Sequence, residues 1–208
     1  MAYTVVEKYY RQKHFNFFSG YGTPFYSLTL EFEISRLKAF AEDNGYPVYL
    51  SLCYFFTRGI QPLEDFRYRV MADRIVLYDR LDFAATLPAP DRLFSFAYFE
   101  YGPNVAAFFR RVESAMPAMS GVATLAEPTD SNHLLFTALP GVPFTGFAHA
   151  KPSSGADARP RVAFGKFRAD GDRLLVPVGL DVNHIFIDGA ALGDLVEGVQ
   201  DAFEIPED

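Results

Sequence analysis

Across 208 residues there is one cysteine, no tryptophan, four histidines and no cluster of lysine and arginine. The lone Cys53 excludes an intramolecular disulfide. It also excludes a zinc site built on thiolates, which takes several of them. A reducing, cytoplasmic setting is the expectation that follows. Lys and Arg number 19 against 26 Asp and Glu, a formal charge of −7. Neutralising phosphates takes clustered cations, so no nucleic-acid partner is expected. No uncharged apolar stretch reaches the roughly 18 residues of a membrane span. The opening MAYTVVEKYYRQKHF has no apolar signal core. Neither a membrane span nor export is expected.

Repeats and low-complexity tracts are absent as well. The loosest stretch is 150–160 (AKPSSGADARP), which reads as an exposed loop, with shorter breaks at 87–92 (LPAPDR) and 126–131 (AEPTDS). None is long enough to be a linker, so a single domain over 1–208 is expected.

What the chain does have is apolar and aromatic. Half of its residues are apolar and 22% are charged, the balance of a globular protein with a core. There are 22 Phe and 12 Tyr. Beyond filling a core, such an excess can line a pocket or a subunit interface.

The patterning mixes helices and strands, which predicts an α/β fold. Residues 26–32 alternate as a strand does, and 73–79, 93–99, 133–139, 144–148 and 161–167 read as further strands. Ile34, Leu37, Phe40 and Ala41 lie at helical spacing, with Ser35 near the start. Pro47 suits a helix entry, and 48–60 is apolar enough for a buried helix, with a strand as the alternative. Val105, Phe108, Phe109, Val112 and Met116 fit an amphipathic helix. The clearest section is 173–184 (RLLVPVGLDVNH), a β-rich run ending in histidine. A turn at Asp188 and Gly189 follows, and then Leu192, Leu195, Val196, Val199 and Phe203 repeat at helical spacing. Asp188 is placed to cap that helix.

That junction, His184-Ile185-Phe186-Ile187-Asp188-Gly189, is an HxxxDG element. Four residues apart across a strand-to-turn junction, the two side chains do not face one another as they would on a helix. The Asp is free to orient backbone or bind another partner while the His points elsewhere. No third ligand at suitable spacing turns the pair into a metal site, so no metal is expected.

Several motifs in order carry a resemblance. Tyr9-Tyr10-Arg11-Gln12-Lys13-His14-Phe15 resembles a WxRxxHF opening, and Pro24 to Thr29 (PFYSLT) a first long strand. Tyr46-Pro47-Val48 starts a matching helix, Asn132-His133-Leu134 with Thr137-Ala138-Leu139-Pro140 resembles NHLxxSALP, and Gly171 to Pro177 (GDRLLVP) resembles GDRLLLP. With HxxxDG in its place, the chain resembles the trimeric chloramphenicol acetyltransferase family over most of its length. The resemblance implies a large mixed sheet flanked by helices and a homotrimer with active sites between subunits. The implied activity is acetyl transfer from acetyl-CoA to a hydroxyl of chloramphenicol or a related small molecule, through a ternary complex without an acyl-enzyme. Resistance and biosynthetic roles both stay open.

The residue roles come by the same route. His184 is implied as the general base, and an imidazole suits the role because its ordinary pKa is near neutrality. Asp188 is implied to make a buried salt bridge to Arg11 that holds the loop, a pair whose rupture costs roughly 3–5 kcal/mol when buried. Thr137 stands where the family has a serine that donates to the oxyanion, and it keeps the hydroxyl. Phe17, Phe18, Tyr26, Phe94 and Phe147 keep an aromatic acceptor lining. Lys166 and Phe167, matching a KY pair, and Tyr46 are implied at the coenzyme. His14 and His133 match motifs without an implied chemical role.

Departures from the family pattern bear on the acceptor. Asn183 precedes His184 where many relatives have a second histidine, and Gly141 replaces a frequent tryptophan near the coenzyme. His149 and Lys151 fall where relatives present apolar groups to the substrate, and Ala163 falls where they present a threonine. Either these two polar groups face the acceptor, which then differs from chloramphenicol, or they sit on a solvated loop. HxxxDG also occurs in dihydrolipoamide acyltransferase cores and peptide-synthetase condensation domains, and a non-catalytic binder of a CoA thioester or small ligand is a further alternative.

Overall fold

A computed structural model describes residues 2–119, 125, 132–151, 157–204 and 206, with the side chains of 117–119 left aside. The break at 126–131 and part of the loop at 150–160 lie outside the described residues. Strands are β1 (Tyr3–Val5), β2 (Phe25–Glu33), β3 (Tyr68–Met71), β4 (Arg74–Tyr78), β5 (Asp82–Pro88), β6 (Phe94–Phe99), β7 (His133–Ala138), β8 (Arg161–Phe164), β9 (Arg168–Asp170) and β10 (Arg173–Asn183). Helices are α1 (Gln12–Phe18), α2 (Ser35–Asp43), α3 (Val48–Ile60), α4 (Val105–Met119) and α5 (Gly189–Glu204).

The main sheet runs β2-β10-β8-β7-β5-β6, with β9 also on β10. It is mixed: β7 is parallel to both β5 and β8, and the remaining pairs are antiparallel. A smaller antiparallel sheet, β1-β4-β3, stands beside it. The fold is thus the expected α/β arrangement of a large mixed sheet flanked by helices.

One face of the main sheet is the core. Phe83, Ala85, Leu134, Phe136, Val162, Leu180 and Val182 point from it and are buried. Helices α2, α3 and α5 pack on this side. The apolar density of 48–60 thus belongs to a helix, buried on most of its circumference. Pro47 sits in extended conformation just before it, as the fixed proline φ favours at a helix start. Helices α3 and α5 cross at two glycines: a Cβ on Gly59 would lie 2.5 Å from the Gly198 carbonyl oxygen. Only hydrogen fits there.

The opposite face carries residues of the other parity. Ladder register sets Thr29, Gly179, Ala163 and Thr137 in one cross-strand row. Ser27, Asp181, Arg161, Leu135, Ala84 and Tyr98 form the next. Residues opposite one another in a ladder share a face, so the two rows lie together. Two predicted strands change here. Residues 144–148 form no strand, and the strand expected over 161–167 stops at Phe164. The two stretches meet there: Phe144 packs so tightly on Gly165 that a Cβ would come within 2.7 Å of its ring. Among the described residues no helix is long and apolar enough to cross a membrane.

Candidate active site

Strand β10 delivers His184 to the sheet's end. The His184 backbone N–H donates to the Pro24 carbonyl at 2.8 Å, which carries the strand pairing one residue further. The imidazole stacks on Phe18 at 4.0 Å between ring centres and lies 4.8 Å from Tyr26. Its Nδ1 is 2.9 Å from the Ile187 carbonyl oxygen. A carbonyl only accepts, so Nδ1 carries the proton and Nε2 holds the lone pair of the neutral ring. The Tyr26 hydroxyl donates to the same carbonyl at 3.3 Å. Burial, with the Asp188 charge adding, pushes that phenol up to about 12.

The turn after His184 is held from several sides. Asn183, fully buried, accepts the Ile185 N–H at 3.0 Å and donates to the Asp157 carbonyl at 3.1 Å. Phe186 is buried among Tyr9, Phe15 and Tyr68, which ties the turn to α1 and to the small sheet. Arg11 donates to the Phe186 carbonyl at 3.0 Å and meets Asp188 at 2.8 Å. Asp188 also accepts the Ala190 and Ala191 amides, the expected cap of α5. His184 and Asp188 therefore serve different partners. The ion pair departs from the expectation in one respect. The Arg11 side chain is 10% exposed but that of Asp188 is 38% exposed, so the pair is open to water on one side. Solvent screening brings its worth down to about 0.2–1 kcal/mol.

Thr137 is elsewhere. Its hydroxyl is 3.0 Å from that of Thr86, on the face with Ala163 and Gly179. Phe94 and Phe96 follow on this face, since Phe96 opposes Thr86 and Phe94 lies two residues along. Phe147 belongs here too, packed so closely on Gly179 that a Cβ there would meet its ring at 2.7 Å. His149 stands edge-on to Phe147 at 4.7 Å. Tyr26, by alternation with Ser27, is on the other face, beside His184. Phe17 and Phe18 form an edge-to-face pair on α1, with Phe17 exposed. The predicted residues thus fall into two groups on opposite faces of one sheet: His184, Phe18, Tyr26, Arg11 and Asp188 on one, Thr137, Phe94, Phe147 and His149 on the other.

Of the residues expected at the coenzyme, Lys166 is exposed and its N–H donates to the Val142 carbonyl at 3.0 Å. Phe167 packs at the edge of the core. Tyr46 stacks on Phe109 at 4.0 Å and lines a cleft of about 780 Å³ with Pro47, Arg110, Glu113 and Met116. A Cβ at Gly141 would meet nothing within 4 Å, so the space left by the missing side chain is open. His133 is buried against Tyr98, whereas His14 is exposed on α1. Cys53 is fully buried, and burial raises its thiol far above the ordinary value, so it is no nucleophile.

His149 and Lys151 are not solvated. Both turn inward onto Asp181, a fully buried carboxylate that the motif-based reading missed. The available signal was an aspartate inside the apolar run of β10.

The family model for chloramphenicol acetyltransferase matches residues 1–200. The chain belongs to that family. "Chloramphenicol acetyltransferase 3" of Escherichia coli is 25% identical over 199 residues, covering 94% of this chain and 93% of that protein. "Chloramphenicol acetyltransferase" of Bacillus pumilus is 25% identical over 194 residues, covering 92% and 88%. A solved "chloramphenicol acetyltransferase" superposes with a TM-score of 0.87 at 24% identity, over 97% of this chain and all of that one. Chloramphenicol acetyltransferase family members are acyltransferases that take acetyl-CoA as co-substrate and act on small-molecule acceptors.

Proposed function

We propose that this chain transfers the acetyl group of acetyl-CoA to a hydroxyl of chloramphenicol or a related small molecule, as a homotrimer with its sites between subunits. The observation that carries the reading is the Nδ1 contact of His184 with the Ile187 carbonyl. It leaves Nε2 as the basic nitrogen. His184 Nε2 takes the acceptor's hydroxyl proton as the oxygen attacks the thioester carbonyl. The tetrahedral oxyanion receives the Thr137 hydroxyl proton as a hydrogen bond. When the intermediate collapses, the C–S bond breaks, and His184 returns its proton to the departing thiolate. Arg11 and Asp188 act through the turn, as positioning residues. Lys166, Phe167 and Tyr46 are the residues proposed for the coenzyme, and Phe17, Phe18, Tyr26, Phe94, Phe147 and His149 for the acceptor.

The test is thiol release from acetyl-CoA with chloramphenicol, comparing the native protein with His184→Ala. Release should fall at least about 10²-fold in the variant, the usual contribution of a positioned base. Equal release in both would remove His184 from the role. One observation favours a different acceptor: His149, edge-on to Phe147, keeps a buried Nε2 with no hydrogen-bond partner among the described residues. A folded native protein that leaves chloramphenicol untouched, yet releases thiol with another hydroxyl compound, would establish that second reading. Silence across acceptors and acyl-CoAs would favour a binding role.

A further inference from the structure

Asp181 lies three residues before His184 in β10, on the Thr137 face, and is fully buried. Its carboxylate accepts the His149 backbone N–H at 2.9 Å and the His149 Nδ1–H at 2.6 Å. The same carboxylate takes Lys151 Nζ and the Ser27 hydroxyl. Lys151 donates to Ser27 as well, at 3.1 Å, and lies 5.6 Å from the centre of the Phe25 ring. Burial alone would raise this carboxyl; hydrogen bonds from His149, Lys151 and Ser27 outweigh it and hold it far below the ordinary 3.8. The group is charged wherever the protein is folded near neutral pH.

What Asp181 grips is a segment without regular structure. Residues 139–151 form neither helix nor strand, and backbone hydrogen bonds tie them to the sheet only at their start, where the Leu139 N–H donates to the Phe164 carbonyl at 2.8 Å and the Val142 carbonyl accepts from Lys166. They dock instead at successive same-face positions along β10. Phe144 and Pro177 close on Gly165, Phe147 covers Gly179, and His149 reaches Asp181. The first two fastenings are apolar contacts of ring on glycine. The third is charged, buried and placed at the segment's far end, where Phe147 and His149 face the acceptor in the reading above.

We propose that Asp181 is a positioning residue that clamps the 139–151 segment to β10 and thereby sets the acceptor wall beside Thr137. The proposal rests on the acetyl-transfer reading for its consequence but not for its mechanics. Two variants test it: Asp181→Asn, and Asp181→Asn with Lys151→Met. In the single variant the partly buried Lys151 ammonium loses its counter-ion, and the fold should lose stability. The double variant removes that ammonium and should recover most of the loss. Amide hydrogen exchange across 139–151 should be accelerated in both. With chloramphenicol as acceptor, KM for the acceptor should rise about tenfold in both, the worth of one charged hydrogen bond. KM for acetyl-CoA should hold.

Unchanged exchange across 139–151 would overturn the clamp. So would a double variant that recovers acceptor KM together with its melting temperature, since the role would then be folding alone. If the native protein leaves chloramphenicol untouched, the acceptor reading fails separately, and exchange in the two variants still decides the clamp.

Discussion

The Asp188 carboxylate divides its oxygens between a guanidinium and two helix amides. Burial works against its charge. The Ala191 amide, Arg11 and the Ala190 amide outweigh that, and the pKa falls below its ordinary 3.8. A depressed carboxylate adds stability above its unfolded pKa and loses it as pH falls through the folded one. Asp188→Asn should therefore cost about 0.2–1 kcal/mol in urea melts at neutral pH, since Asn keeps the cap and loses only the ion pair. The gap to the native protein should narrow as pH falls below 3.8 and close only beneath the lower folded pKa, where Asp188 is neutral too. Turnover should fall in the variant as well, because the turn that fixes the His184 tautomer loosens. Thr137→Ala should lower kcat by about 10²–10³-fold if its hydroxyl serves the oxyanion, and Thr137→Ser should keep most of it. Equal kcat in all three proteins would end that role. His184 and Asp188 were legible because one local motif holds both. Arg11, 177 positions away from Asp188, was legible only through the family resemblance. Asp181 left only the faint signal of an aspartate in an apolar strand, because His149 and Lys151 reach it from a loop whose path follows from packing rather than periodicity.

At the level of elements, the strongly patterned segments came out where the sequence placed them: β2, β6, β10 and helices α2 to α5. Strands β1, β3, β5 and β9 and helix α1 escaped. Strand β5 (DFAATLP) is alanine-rich and ends in the Pro88 that reads as a break, and its place is fixed by its neighbours β6 and β7. Residues 144–148 are rich enough in aromatics to suggest a strand, yet Phe144 docks on Gly165, in the link after β8, and Phe147 on Gly179 of β10. The glycine pair between α3 and α5 makes a sharper test. In a helix interior, Gly→Ala alone stabilises by about 0.8–1 kcal/mol. At Gly59 the added methyl would meet the Gly198 backbone at 2.5 Å, and a backbone cannot rotate away as a side chain can. The clash should win. Gly59→Ala is expected to destabilise by about 1–3 kcal/mol in thermal or urea unfolding, in line with overpacked cores. A stabilised variant would mean that the two helices have room to part.

For the whole molecule, the decisive fact is the parity of one strand. His184 lies beside Tyr26, while Ser27, the next residue of β2, opposes Asp181 on the face that carries Thr137. A base and an oxyanion donor on opposite faces of one sheet do not reach the same carbonyl. If both are used, a second copy must supply one of them, and the exposed Phe17, Tyr21, Leu93, Phe94 and Val142 offer apolar surface for that meeting. This arrangement predicts complementation. His184→Ala and Thr137→Ala chains, each impaired alone, should regain activity when co-expressed. A Thr137→Ala chain then lends its histidine to a neighbour that keeps its threonine. With equal and random mixing in a ring, about a quarter of the sites combine both intact groups, so about a quarter of native turnover should return. The same chains purified separately and mixed without subunit exchange should stay impaired. Failure of the co-expressed mixture, with mixed oligomers verified by mass, would mean that His184 and Thr137 do not act together across a subunit boundary.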